Sequence, residues 1–253
     1  MNKVFHFSYH KCLTAYYEGI LREFSQLKGF DYQHFDSQSD RFFDAYQSGA
    51  LTCASLNNTA LPIALQPSER GSHFVRDPRD LVVSGYHYHL WCPEQWVYEP
   101  AYRWRYIARE PIFQKWTGLN EWPKNTSYQG FLKTLSKQQG LIVEMLWRQK
   151  IFQKMYDWDY KNPSILELKY EDIIDNEENA FNQLFDHYQW PESWRDDWLG
   201  IVSKLSKKNM KTGDQSHTRN GSTKQFESEF SSEALDDFNS LYDGLVDKLG
   251  YAA

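Results

Sequence analysis

Lys11 and Arg76 are the two cations whose neighbours give them a chemistry. Lys11 lies in Tyr9-His10-Lys11-Cys12-Leu13-Thr14-Ala15-Tyr16. Arg76 opens Arg76-Asp77-Pro78-Arg79-Asp80-Leu81-Val82-Val83-Ser84-Gly85-Tyr86. In each string a short, aromatic-rich apolar run gives way to a helical pattern, so cations, hydroxyls and backbone N–H groups gather at a helix N-terminus. The first N–H groups of a helix lack intrahelical partners, and its dipole favours negative charge. Two such places in one chain predict a ligand with two separate phosphate-like groups. Lys11 can hold an oxygen between two anionic groups and stabilise charge on a leaving group. Thr14 can donate its hydroxyl. Arg76 offers a planar donor fork suited to phosphate, and Ser84 follows eight residues later. The plainer alternatives are a surface lysine after a strand, and an Arg76 ion pair with Asp77 or Asp80. No GxxxxGK[ST] loop is present, because Lys11 precedes its small-residue turn.

The elements that must position these residues can be read from hydrophobic spacing. Val4–Tyr9 reads as a buried strand. Tyr16, Tyr17, Ile20, Leu21, Phe24 and Leu27 then recur at helical spacing up to a stop at Gly29. Further strands are predicted at 31–36, 50–56, 73–75 and 164–168. Asp77 suits an N-cap with Pro78 in the first turn. Leu141–Trp158 resumes a helical pattern. Asp175 and Glu178 suit a capping box. Trp194, Trp198, Ile201, Val202 and Leu205 mark another helix, and Ser232–Leu249 a last one. Residues 210–224 are polar and read as a loop. Residues 90–128 mix tryptophans and tyrosines with four prolines and show no clean period, which predicts a long insertion or lid, or aromatic packing over the core. Strands alternating with helices predict one α/β domain over 1–253, with a mainly parallel central sheet.

Bulk composition bounds the function. The chain has 253 residues, 41% apolar and 17% aromatic, enough for a substantial core. A net charge of −6 argues against a sequence-independent nucleic-acid binder. Cys12, Cys53 and Cys92 form no CxxC pair and predict neither a disulfide framework nor a zinc site, so reduced thiols in a cytoplasmic setting fit. No metal-ligand cluster is recognisable. The N-terminus has no apolar leader and the chain no run of about 18 apolar residues, so neither a signal peptide nor a membrane span is expected.

Together the two strings resemble the 3′-phosphoadenosine 5′-phosphosulfate (PAPS)-dependent sulfotransferases. His10–Tyr16 is similar to their 5′-phosphosulfate loop, with Lys11 the loop lysine, Thr14 the first threonine, Ala15 in place of the second and Tyr16 in place of a tryptophan. Cys12 and Leu13 complete that loop, Leu13 where glycine is usual. Arg76 through Ser84 resembles the 3′-phosphate motif. LELKYEDI at 166–173 resembles the segment whose tyrosine, here Tyr170, approaches the adenine. Arg219-Asn220-Gly221 begins a stretch similar to the C-terminal signature that closes over the 3′-phosphate.

The resemblance implies a P-loop-like fold, PAPS as cofactor, 3′,5′-ADP as its product and no metal. It implies in-line transfer of a sulfuryl group to an acceptor O–H or N–H, with positioning and charge stabilisation dominant. Many relatives place a catalytic histidine in the region that here reads Thr52-Cys53-Ala54-Ser55-Leu56-Asn57-Asn58. With no acid or histidine there, the base must come from elsewhere. His34 and Asp36 end the second strand, where a related group carries a catalytic carboxylate; His87 and His89 follow the arginine motif. Residues 90–128 would bind the acceptor, with Trp91, Trp96 and Trp104 as contacts and charges of both signs. A small soluble acceptor in secondary metabolism is the class expected, leaving open its identity, O- or N-sulfation and the oligomeric state. A P-loop kinase would need the missing Walker A loop and a magnesium carboxylate. A catalytically inactive nucleotide binder would have lost Lys11.

Overall fold

The computed structural model describes residues 2–37, 39–58, 65–100, 102–206 and 222–252. Its strands are β1 (Lys3–Ser8), β2 (Tyr32–Asp36), β3 (Cys53–Asn57), β4 (Glu69–Val75) and β5 (Ile165–Lys169). Helices α1 (Thr14–Lys28) and α2 (Ser39–Gln47) separate the first three strands. Between β4 and β5 run α3 (Pro78–His89), α4 (Gln95–Tyr98), a 3-10 helix (Tyr102–Arg109), α5 (Pro111–Thr117), α6 (Tyr128–Leu132), α7 (Lys137–Trp147) and α8 (Gln149–Asp157). After β5 come α9 (Tyr170–Asp175), α10 (Glu177–Tyr188), a short 3-10 turn, α11 (Arg195–Leu205), α12 (Phe226–Glu229), α13 (Ser232–Leu241) and α14 (Leu245–Lys248). No helix of the described residues is long and apolar enough to cross a membrane. The chain divides into two compact units, Met1–Arg76 with Asp157–Met210, and Asp77–Tyr156 with Lys211–Ala253.

The first unit holds the whole sheet, in the order β2-β3-β1-β4-β5, with every pairing parallel. The α/β class and the parallel sheet are those the alternating pattern predicts. β1 is central and buried from Val4 to Ser8, which explains its nearly continuous apolar run. Alternation divides its side chains between two faces. Phe5 and Phe7 join Phe35, Phe42, Leu56 and Trp158 on one face. His6 turns to the other and meets Tyr17 of α1 at 4.3 Å between ring centroids. On that face a buried chain of hydrogen bonds links His6 Nδ1, Ser72 Oγ, Tyr188 Oη and Tyr17 Oη, with spacings of 2.8, 2.5 and 2.7 Å. Burial lowers the His6 pKa well below its ordinary value, and electrostatic coupling to His73 and His34 acts in the same direction.

β4 begins at Glu69, well before the apolar run of 73–75. Its first residues are polar yet buried, because Glu69 accepts from Tyr46 Oη (2.7 Å) and Gln66 N (2.8 Å). Gly29 ends α1 in the left-handed region (φ 72°), as expected of that stop. α10 is capped by Asn176, whose side chain accepts from Asn179 N, one residue past the predicted Asp175. The cap must lie immediately outside the first helical residue, and here that residue is Glu177.

The second unit opens with α3. Asp77 caps it by accepting from Arg79 N at 2.9 Å, with Pro78 in the first turn, as predicted. The Arg79 guanidinium grips the same carboxylate through two bonds (3.0 and 2.7 Å), donates to Ala252 O and lies 3.9 Å over the Phe226 ring. Asp77 therefore already holds an arginine partner of its own. α3 and α7 approach closely at Gly85, where a Cβ would lie 2.1 Å from both Arg148 Nη2 and Glu144 Oε1. Glu144 accepts from Tyr128 Oη (2.7 Å) and Arg148 Nε (2.9 Å) and bonds His89 Nδ1 (2.8 Å). Burial alone would raise its pKa, but His89 and Arg148 hold it below the ordinary carboxylate value.

Residues 90–128 are more regular than their sequence predicts. They hold two short α-helices and a 3-10 helix before α6, each too short to impose a period. Trp96 stacks on Trp147 (5.2 Å, 7°) and Trp122 on Tyr128 (6.1 Å, 4°). Trp104 is only 2% exposed, whereas Trp91 and Trp96 are half-buried. The predicted single helices at 141–158 and 232–249 are each two. Arg148 separates α7 from α8, and Tyr242–Gly244 separate α13 from α14, with Gly244 at φ 73°.

Candidate active site

In a parallel sheet, ligands bind beyond the carboxyl ends of the strands, where the chain switches direction between neighbours. Here that point lies between β1 and β4. The chain leaves β1 toward β2 and β3 on one side, and leaves β4 toward β5 on the other. The residues just beyond those ends are the Lys11 loop and Arg76. Tyr170 follows β5 directly.

The loop from Tyr9 to Leu13 is built by backbone geometry. Lys11 (φ 73°) and Leu13 (φ 62°) are both left-handed, alternating with Cys12. Cys12 N donates to Tyr9 O at 2.9 Å, and Thr14 Oγ1 donates to the same carbonyl at 3.2 Å. Ser8 Oγ and Thr14 Oγ1 are bonded at 3.0 Å. His10 N donates to Asn58 Oδ1 at 2.8 Å, tying the loop to the end of β3. Left-handed residues set between others form a concave nest of N–H groups that suits an anion. At the head of α1 no side chain caps the helix, and its first turn carries no acid. A phosphate-bearing group fits that arrangement through charge and N–H donors together.

Arg76 is 4% exposed and is fixed from two sides. Its guanidinium lies 4.0 Å from the Tyr170 ring centroid, and Nη1 reaches Lys11 O at 3.5 Å, the outer limit of a hydrogen bond. The structure thus brings Lys11, Thr14, Arg76 and Tyr170 to one edge of one sheet. Within the same loop, Lys11 and Thr14 are half-buried, Ala15 is exposed, and Cys12 and Leu13 are buried. Tyr16 is buried against Phe181, with its hydroxyl donated to Glu177 Oε1 at 2.5 Å. Burial and that carboxylate raise its pKa far above the ordinary tyrosine value.

Ser84 lies within α3 of the second unit and is half-buried. Arg219, Asn220 and Gly221 lie outside the described residues.

The base candidates separate. Asp36 ends β2 at the same sheet edge, exposed, and accepts from Asn57 Nδ2 at 3.0 Å. His34 lies two residues down that strand and is bonded to Ser55 Oγ at 2.7 Å. In the second unit, His87 Nε2 lies 3.3 Å from Glu229 Oε1, and His89 is fully buried beside Glu144. One pair is missing from the sequence reading. His73 of β4 bonds Glu167 of β5 through Nδ1 at 2.7 Å, and Glu167 also accepts from Trp158 Nε1 at 2.7 Å. Its only signal was a polar residue inside a buried strand and another inside the edge strand beside it. Among the described residues no group of His, Cys, Asp and Glu is arranged to hold a metal ion. The three cysteines are free and buried.

A family model described as the sulfotransferase domain matches residues 72–250, which include Arg76, Ser84 and Tyr170. Among solved structures, mouse sulfotransferase SULT7A1 complexed with PAP is 13% identical, with a TM-score of 0.51, 99% of this chain covered and 86% of that one. Retinol dehydratase in complex with androsterone and the inactive cofactor PAP is 12% identical, with a TM-score of 0.49 and 99% and 82% coverage. No curated protein matches the chain. At 13% identity the likeness to the mouse sulfotransferase speaks for the fold alone, and the domain match speaks for the family. With a match extending over most of its length, the chain belongs to the sulfotransferase family.

Proposed function

We propose that this sulfotransferase uses PAPS and sulfates a hydroxyl, amine or guanidine nitrogen of a small molecule, in a cytoplasmic route of secondary metabolism. When bound, PAPS supplies the sulfuryl group and leaves as 3′,5′-ADP. The observation that supports this best is the pairing, at one sheet edge, of an uncapped helix start with a buried arginine stacked on Tyr170. His10 through Tyr16 hold the 5′ side, with N–H groups and the Thr14 hydroxyl as donors. Lys11 stabilises negative charge on the departing oxygen. Arg76 and Ser84, with Arg219, Asn220 and Gly221, hold the 3′-phosphate, and Tyr170 lies by the base. His34 or Asp36 takes the acceptor's proton. Trp91, Trp96 and Trp104 within 90–128 shape the acceptor site.

Calorimetry with 3′,5′-ADP and 5′-AMP tests the assignment. Arg76→Ala should weaken 3′,5′-ADP by roughly 1.5–3 kcal/mol, the worth of a charged hydrogen bond, and 5′-AMP far less. Equal losses for the two nucleotides would remove Arg76 from the 3′-phosphate.

A further inference from the structure

We propose that His73, oriented by Glu167 and assisted by Tyr9, is the base of the transfer, and that the group sulfated is a hydroxyl. The proposal rests on the PAPS-dependent reading above and offers an alternative to His34 and Asp36.

The first observation is a pair of buried polar atoms without partners. Tyr9 is 1% exposed and His73 is fully buried, yet neither Tyr9 Oη nor His73 Nε2 has a hydrogen-bond partner among the described residues. Their rings meet edge to face, 5.3 Å between centroids. A buried polar atom without a protein partner calls for a water, an ion or a functional role. The second observation is the Glu167 bond at Nδ1. It places the imidazole proton on Nδ1 and leaves Nε2 as a bare acceptor.

The two atoms are complementary to one ligand group. Nε2 needs a donor, and the Tyr9 hydroxyl needs an acceptor. An alcohol or phenol oxygen supplies both at once, whereas a guanidinium, or an amine protonated at neutral pH, offers donors only. Tyr9 is also the first residue of the Lys11 loop, and its carbonyl receives Cys12 N and Thr14 Oγ1. The Tyr9 ring thus joins His73 to the base of that turn.

Glu167 distinguishes this histidine from the others. The Glu144 carboxylate beside His89 is shared with Arg148, and the Glu229 carboxylate beside His87 with Lys137. Glu167 accepts otherwise from the neutral Trp158 N–H, so its charge remains to stabilise an imidazolium. His6 bonds a serine hydroxyl instead, and His34 bonds Ser55 Oγ with its Nε2 3.9 Å from Glu18, a carboxylate that is shared with Arg22. The proton count closes. The acceptor O–H gives its proton to His73 Nε2 as the S–O bond to that oxygen forms. The bond between sulfur and the bridging phosphate oxygen breaks, its electron pair leaving with 3′,5′-ADP. The imidazolium then loses its proton to solvent as the product departs. The other titratable groups on this face are Tyr160, Cys12 and Asp157, and His6 acts on His73 from the opposite face of the sheet.

The test combines nitrogen NMR of the histidines in the ligand-free protein with steady-state kinetics. The expected spectrum shows neutral His73 with its proton on Nδ1 and a bare Nε2. His73→Gln should lower kcat toward alcohol acceptors by roughly 10²–10⁴-fold and abolish the acidic limb of the pH profile. Its affinity for 3′,5′-ADP should stay within about threefold, a change near 0.7 kcal/mol. If that variant does not fold, Glu167→Gln is read in the same way. A protonated Nε2 in the ligand-free protein, or a folded variant that keeps its kcat and acidic limb, overturns the proposal. Failure of the wild type to bind 3′,5′-ADP would instead overturn the PAPS reading.

Discussion

Leu13 gives the sharpest physical test of the loop. Its backbone lies at φ 62°, ψ 15°, a conformation that costs an L-residue roughly 1–2 kcal/mol. Its side chain is 5% exposed, so removing it also forfeits packing of about 2–5 kcal/mol. Leu13→Ala loses the packing and keeps the strain. Leu13→Gly loses the same packing and relieves the strain. At an ordinary position glycine is less stable than alanine by roughly 0.5–1 kcal/mol. Here the order should reverse, with Leu13→Gly more stable than Leu13→Ala by about 1 kcal/mol. In a chain of this size that difference is about 2 °C in Tm. Urea titration followed by tryptophan fluorescence, with equal m-values for the two variants, measures it directly. A glycine variant no more stable than the alanine variant would show that Leu13 is not left-handed in solution. The nest at the head of α1 would then be lost as an argument.

Two further outcomes follow from the same geometry. Gly85→Ala should cost on the order of 3–5 kcal/mol, because its Cβ would displace the buried Glu144–Arg148 pair, and an unchanged urea midpoint would mean that α3 and α7 lie further apart. Burial holds the folded-state pKa of His6 well below its unfolded value, so the unfolded chain binds more protons as the pH falls below about 6.5; stability present above that value should be lost, with a slope approaching roughly 1.4 kcal/mol per pH unit. A flat stability profile from pH 6.5 to 5 would refute the neutral, buried His6.

How much of this was legible in the sequence depends on who supplies the hydrogen-bond partners. Asp77, Pro78 and Gly29 act through local backbone rules, so their roles could be read directly. The strand that buries Val4–Phe7 was visible because an apolar run reports burial on both faces, and the edge strand β5 through Ile165, Leu166 and Leu168. The start of β4 was hidden because Glu69 and Ser72 look exposed until Tyr46 and Tyr188 are brought to them. α2 went unread, since its polar residues outweigh its apolar ones and the rings that bury Phe42 from outside the helix come from β1 and β2. The Lys11 loop was placed correctly at a helix start, but its two left-handed residues are a property of φ that no residue type announces when glycine is absent. His73 and Glu167 are far apart in the chain and meet only through the β4–β5 register, which pairs them directly.

That register also sets a timetable for biosynthesis. β5 cannot dock on β4 until everything from Arg76 to Ser164 has been made, which includes most of the second unit. At translation rates of 5–20 residues per second the delay is about 5–20 s. Throughout it, Gly71–Val75 presents an open row of N–H and C=O groups on a strand that is buried in the finished fold, a template for another nascent chain. Slower synthesis or a crowded polysome would lengthen that exposure, and recombinant yield would then be governed by the wait for β5 rather than by the stability of the finished enzyme.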